Sequence, residues 1–252
     1  LSIPPARSSG YGQTWYEWNG VLYAFVNSAV GNAGINRVYK WDGSTWTQVC
    51  ESSQNTNITG GNAGVIEYNG VLHLGSSDGS TYHSVFDGTT LTKKTNGTYE
   101  IILFVHNEKL KGFRSNGYFY VWDEATDTWT LEANTGISSI KGVRVIGDVC
   151  YVFTTTTLYT YDGISLTQIA TNGTFGISWF VFGSHVYCVT KSGSYFYHLC
   201  EIDMSTYQTT LIGALPYMQS ALLFEYNNEL AIETSCKGDS SYTYTAGASK
   251  VH

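Results

Sequence analysis

The chain has 252 residues, 42% of them apolar and only 13% charged, against roughly 25% charged in an ordinary domain. A net charge of −7, with 13 Lys plus Arg and no basic run, excludes a surface that could follow a phosphate backbone, so nucleic acid is not an expected partner. No stretch approaches the ~18 consecutive apolar residues of a spanning helix, so membrane insertion is not expected either.

Neither a signal peptide nor an initiating Met opens the sequence, which is therefore read as one domain, 1–252, taken from a longer or processed protein. Tyr, Gly, Thr, Ser and Val abound, a strand-and-turn composition.

In chain order, a first strand (A) is predicted at 13–18, closed by Asn19-Gly20. Strand B follows at 21–26, strand C at 37–41, the Asp42-Gly43 turn, and strand D at 45–49. Asn-Gly and Asp-Gly supply the positive φ that tight hairpin turns require. The A–B turn returns at Asn69-Gly70, Asn107-Glu108, Gly147-Asp148, Gly183-Ser184 and Asn227-Asn228, and the C–D turn at Asp87-Gly88, Asp123, Asp162-Gly163 and Asp203. A period near forty residues with four short strands per unit marks propeller blades. The predicted fold is all-β, a six-bladed β-propeller of four-stranded antiparallel blades. The sixth unit offers strands at 219–226, 230–235 and 242–245 but no Asp turn, and its outer strand must come from 250–252 or from 1–3. Without that closure the architecture is five blades plus an appended hairpin.

Period-two alternation assigns the core. One column holds Trp15, Val65, Leu103, Val143, Trp179 and Leu223; a second holds Ala24, Leu74, Gly112, Val152, Cys188 and Ile232. The intervening column is also apolar, with Tyr16, Ile66, Phe104, Phe180 and Phe224, and Arg144 is its exception. The strand-D residues Trp46, Leu91, Trp129, Leu166 and Tyr207 are expected to wedge between blades, with truncation of Trp46 or Trp129 costing about 3–5 kcal/mol.

Leu22-Tyr23 with Trp41-Asp42 and Trp46, Cys150-Tyr151 with Tyr161-Asp162, and Val186-Tyr187 with Asp203 and Tyr207 together resemble the kelch repeat. So does the Pro4-Pro5-Ala6-Arg7-Ser8-Ser9-Gly10 stretch before strand A. The resemblance spans almost the whole chain and implies a β-propeller. It departs from the family at the end of strand B, where Phe25-Val26, Gly75-Ser76 or Phe153-Thr154 stand in place of a Gly-Gly doublet.

Five cysteines cannot all pair within the chain. Cys188 and Cys200 lie symmetrically about Ser194, opposite each other in a hairpin, where a disulfide is geometrically possible; the preferred reading is of small buried hydrophobes, as Cys150 is in its column.

A chain zigzagging through strands A to D puts the tight A–B and C–D turns at one end of the blades and the variable B–C and D–A loops at the other, which makes the loop face the candidate binding surface. The B–C loops are read at 27–36, 76–82, 114–118, 154–157, 191–195 and 237–241, and the D–A loops at 51–62, 95–99, 134–141, 171–176 and 216–219. Their Asn, Ser, Thr, Gly and Tyr suit a neutral glycan or a polar protein surface. The binding residues singled out are Asn32, Asn36, Asn57, Tyr82, Arg114, Asn116, Asn134, Lys191, Tyr195 and Tyr217. Asn57-Ile58-Thr59, Asn96-Gly97-Thr98 and Asn172-Gly173-Thr174 fit the N-glycosylation pattern.

No catalytic residue, metal site or cofactor is assigned. The six His are scattered without metal-ligand spacing, and His73, His106 and His185 fall in strand or turn columns as packing or solvent-facing residues. The Asp recurring once per unit are turn formers, because a catalytic pair breaks a repeat rather than following it. The resulting expectation is a non-catalytic recognition module for a protein or glycan, in an extracellular, cell-surface or virion protein. The alternatives are a structural or assembly domain, as in a phage tail, and a propeller hydrolase or oxidase drawing on Arg37, Arg114 and Arg144.

Overall fold

The structure is a computed structural model and describes residues 13–30, 33–52, 64–75, 83–94, 102–114, 116–171, 175, 178–192, 196–215, 220–226, 229–237 and 244–250. The fold is an all-β propeller of four-stranded antiparallel blades, each strand pairing with the next in sequence. Blade one is β1 (Gln13–Trp18), β2 (Val21–Val30), β3 (Ala33–Trp41) and β4 (Trp46–Ser52). Blade two is β5 (Val65–Tyr68), β6 (Val71–Leu74), β7 (His83–Phe86) and β8 (Leu91–Lys94). Blade three is β9 (Ile102–His106), β10 (Lys109–Phe113), β11 (Tyr118–Asp123) and β12 (Thr128–Asn134). Blade four is β13 (Gly142–Ile146), β14 (Val149–Phe153), β15 (Thr157–Tyr161) and β16 (Leu166–Thr171). Blade five is β17 (Ser178–Phe182), β18 (His185–Ser192), β19 (Phe196–Asp203) and β20 (Gln208–Leu215). A last sheet has three strands, β21 (Ser220–Tyr226), β22 (Glu229–Lys237) and β23 (Tyr244–Lys250).

Five complete blades with an appended element is therefore the arrangement present, and that element is a three-stranded sheet rather than a hairpin. Residues 1–3, 251 and 252, proposed to close a sixth blade, lie outside the described residues. The chain forms two compact units, one of Ser2–Arg114 with Tyr118–Asn134 and the other mainly Thr135–His252. Within each, the first strands of successive blades pack side by side, β1 on β5 on β9 and β13 on β17 on β21.

The turn chemistry differs between the two hairpins. In the A–B turns Asn19-Gly20 and Asn69-Gly70 both residues have positive φ, the pattern of type I′ turns, and Gly147 and Gly183 alone are positive in theirs, the pattern of type II′. The C–D turns of blades one, two and four are four-residue loops in which the Asp amide donates to the carbonyl three residues on and the Asp carboxylate caps the loop amides. Asp42 Oδ1 accepts the amides of Ser44 at 2.8 Å and Thr45 at 2.7 Å, Asp87 does the same for Thr89 and Thr90, and Asp162 for Ile164 and Ser165. In these three turns the glycine after the Asp is left-handed, with φ near 100° at Gly88, while in the longer turns of blades three and five Asp127 and Tyr207 take that conformation, at 57° and 56°. The recurring Asp are thus turn formers, as expected.

The predicted columns are the core. Trp15, Leu103, Val143, Trp179 and Leu223 are buried, as are Ala24, Leu74, Val152 and Cys188, while Val65 is half-buried. Apolar clusters lie between successive blades, for instance Trp18, Phe25, Val38, Leu72, Leu74 and Phe86 between blades one and two. Trp129 reaches the neighbouring blade and Trp46 packs against Trp15 and Trp41 of its own; both are only half-buried, which corrects the expected truncation cost. The fully enclosed member of the Trp122–Trp129 pair is Trp122, so the large truncation cost belongs there.

One irregularity recurs. The pairing of strands C and D slips at Val38/Tyr39, Phe119/Tyr120, Leu158/Tyr159 and Leu199/Cys200, in each case three residues before the turn Asp. The extra residue on strand D is Val49, Glu132, Ile169 or Ile212, a β-bulge that re-aims its side chain. In blade three this delivers Glu132 to Lys111, whose Nζ donates to both carboxylate oxygens at 2.7 Å. Lys111 stands where Tyr23, His73, Tyr151 and Tyr187 stand in the other blades, so its ammonium is buried in a position built for aromatics.

Candidate functional site

Within blade four the D–A loop before β13 and the B–C loop between β14 and β15 meet at one end of the sheet, as the zigzag predicts. Between them lies an open depression of about 430 Å³ lined by Ile137, Ser138, Ser139, Thr154 to Thr157 and Tyr159. Seven of its eight lining side chains carry a hydroxyl and none carries a charge, so the surface offers donors and acceptors that rotate to suit a neutral polar ligand.

The walls are held in place from behind. Thr154 accepts the amides of Thr156 and Thr157 on its Oγ1, and its own amide donates to the Thr157 carbonyl at 2.9 Å. The Thr155 carbonyl accepts from the amide of buried Phe175, whose own carbonyl receives the indole N–H of Trp179. On the opposite wall, Lys141 N donates to Phe153 O at 2.8 Å, and Ser139 has a φ of 67°, a left-handed conformation rare for a residue with a Cβ and one that costs about 1 kcal/mol or more. Gly117 fits beneath this loop because any Cβ there would lie 2.5 Å from the Ile137 carbonyl.

The residues singled out from sequence fall elsewhere or beyond view. Asn32, Asn57, Tyr82, Tyr195 and Tyr217 lie outside the described residues, as do the three Asn-x-Thr sites. Asn36 and Lys191 are in strands rather than loops: β2 and β3 continue pairing through Asn27↔Asn36 to Val30↔Ala33, and β18 and β19 through Lys191↔Tyr197. Two regular strands simply run on past the predicted loop boundary. Arg114 ends the pairing of blade three, its amide donating to Tyr118 O at 2.9 Å and its guanidinium lying 5.8 Å from the Tyr118 ring centre. Asn134 closes β12 opposite Tyr118, and Asn116 is exposed. All the hydroxyls of the depression except that of Tyr159 on β15 were inside the predicted loops at 134–141 and 154–157, but only the run of four threonines distinguished them.

The opposite, short-turn end is occupied by contacts between blades. Asn69 donates to Glu124 at 2.7 Å, Lys94 to Asp127 at 2.9 Å, and the ring of Trp18 lies against Gly88. Among the described residues no three His, Cys, Asp or Glu side chains converge to hold a metal ion.

No protein-family model matches the sequence, and no curated protein matches it. Among solved structures it is similar to an extracellular domain assigned to a one-component system of B. thetaiotaomicron, with a TM-score of 0.57 at 17% identity, over 96% of this chain and 33% of that one. It is also similar to BBS1N in complex with ARL6DN, at a TM-score of 0.54 and 12% identity over 93% and 78% of the two chains. A third likeness is to hydrazine synthase of Kuenenia stuttgartiensis, at 0.52 and 12% over 76% and 62%. The chain thus spans a third of the first of these and under two thirds of the last. At such identities the likeness is one of fold, the β-propeller.

Proposed function

We propose that the protein is a non-catalytic recognition module whose loop face binds a neutral glycan or a polar protein surface, within an extracellular, cell-surface or virion protein. The observation that supports this reading is the uncharged, hydroxyl-lined depression at the loop end of blade four, with walls pinned by backbone hydrogen bonds and one left-handed serine. Preorganised hydroxyls bind without first paying to order a loop. Glycan- and protein-array screening of the intact chain tests it. Thr155→Lys and Ser139→Lys are expected to abolish the ligands found while leaving the melting temperature near that of the parent, and hits that survive both substitutions place recognition elsewhere.

A structural or assembly role is the second reading, supported by Leu131, Leu211 and Ile212, which are 52%, 59% and 44% exposed on the outer strands β12 and β20. Crosslinking through these strands in the parent protein, with the loop face left unprotected, would favour it.

A further inference from the structure

At one position of the inner strands the pattern of blade four breaks. Where the equivalent strands hold Tyr16, Ile66, Phe104, Phe180 and Phe224, β13 holds Arg144. Its Nε donates to the Trp179 carbonyl on β17 at 2.8 Å, and its Nη1 donates to the Val143 carbonyl at 2.8 Å. Both acceptors are neutral. The Lys and Arg ion pairs among the described residues are formed by Arg37, Lys94 and Lys111, and no described carboxylate lies within salt-bridge distance of Arg144. Protein atoms crowd the guanidinium enough for desolvation to bring its pKa down to about 10. The residue as a whole is half-buried rather than fully enclosed.

A guanidinium carries five N–H donors. Two are committed to carbonyls, which blocks the edge containing Nε and leaves both hydrogens of Nη2 and one of Nη1. A desolvated cation with no counter-ion is a costly arrangement, and its natural complement is an anion that supplies the missing charge.

We propose that Arg144 anchors an anion site for a single carboxylate group, received on the free Nη1/Nη2 edge. A carboxylate is planar and presents two oxygens to such a fork. It also brings one negative charge to one positive charge, whereas sulfate or a phosphate dianion brings a second charge to a place where, among the described residues, no second cation acts on Arg144. The two carbonyls hold the guanidinium plane in advance, so little side-chain freedom is lost on binding. The site lies on the inner strands, apart from the hydroxyl-lined depression, and does not depend on it.

Acetate is the probe. In the intact, 15N-labelled chain, the Arg144 side-chain resonances are expected to shift saturably with acetate and not with chloride at equal ionic strength. Arg144→Lys keeps the charge but loses the fork, and is expected to bind acetate about tenfold or more weakly. Resonances that stay unmoved by acetate, or unchanged affinity in R144K, overturn the site. Sulfate binding as tightly as acetate overturns its assignment to a single carboxylate. Should R144K fail to fold, the titration of the unsubstituted protein decides alone.

Discussion

The indole N–H of Trp129 donates to Nδ1 of His83 at 3.3 Å, across the seam between blades two and three. The bond requires a neutral imidazole whose proton sits on Nε2, and that buried nitrogen has no hydrogen-bond partner. The His83 ring in turn stacks on His73, with centroids 5.4 Å apart, and packs edge-on against Trp122 at 4.5 Å.

Acid should open this seam. Burial depresses His83 to about 3 and His73 to about 4, with Lys94 adding to the effect at both and Glu124 opposing it at His73. Both are neutral in the folded protein, whereas the unfolded chain takes up protons near pH 6.5. Stability is therefore full above pH 6.5 and declines as the pH falls toward 4, by about 1.4 kcal/mol per pH unit for each histidine. Urea midpoints at pH 7.5, 6 and 5 check this, and His83→Phe should roughly halve the slope. Equal midpoints at pH 7.5 and 5 would contradict it.

The turn aspartates should respond in the same direction but only at lower pH. Amide and hydroxyl donors from Ser205 and Thr206 hold Asp203 down to about 2, and those of Thr89 and Thr90 hold Asp87 well below the usual carboxylate range. Their contribution is present above pH 4 and is lost only as the pH falls through these lowered values. Asp87→Ala should lower the urea midpoint equally at pH 7.5 and 5, so its pH profile runs parallel to that of the parent protein.

Breaking the Lys111–Glu132 pair should be expensive, because Glu132→Ala takes from a buried ammonium the carboxylate it donates to, at a cost of about 3–5 kcal/mol. Replacing both, with Lys111→Met and Glu132→Leu, should recover most of the loss. A double-mutant cycle in urea measures the coupling, and additive single effects would deny it.

A methyl group at Gly142 would lie 2.4 Å from Cζ of Phe153, whose ring stacks on Trp179 with centroids 4.6 Å apart. Gly142→Ala should cost about 1–3 kcal/mol through overpacking. Phe153→Leu in the same chain should relieve part of it, and thermal melts of the three variants decide whether the clash is the cause.

Cys188 and Cys200 face each other in register across β18 and β19, both buried and both free thiols. Burial, reinforced by Cys200, pushes the Cys188 thiol up to about 12, so little thiolate forms at neutral pH. Labelling by a disulfide reagent should be slow in the native protein and fast in urea. Rapid native labelling of Cys188 would show that this part of blade five opens readily.

Most of the fold was legible because blades are built by short-range chemistry. Asn19-Gly20 and Asp42-Gly43 announce their turns locally, and alternation around Trp15 and Leu22 settles which face is buried. The site was less legible for two reasons. Strand ends carry no turn signal when strands such as β2 and β3 continue pairing past Asn27 and Asn36, so a loop boundary drawn from composition falls short. The depression depends on two segments seventeen or so residues apart meeting in space, and threonine hydroxyls read alike whether they line a cavity or face open solvent. Glu132 was invisible for a third reason: a bulge shifts the face by one residue, and alternation counted from the turn then assigns it wrongly.

The same slip bears on how the blade margins resist pairing with a foreign strand. In the sheet order β4, β8, β12, β16 and β20 each occupy the outer margin of a blade, where unpaired backbone groups could template a foreign strand. In four of the five blades the bulge interrupts the ladder beside that margin and twists it away from a flat partner. The fifth, β8, pairs in unbroken register with β7, and it is guarded by other means: it is four residues long, so an incoming strand meets a short template, and it ends in two lysines of which Lys94 is tied to Asp127 of the next blade.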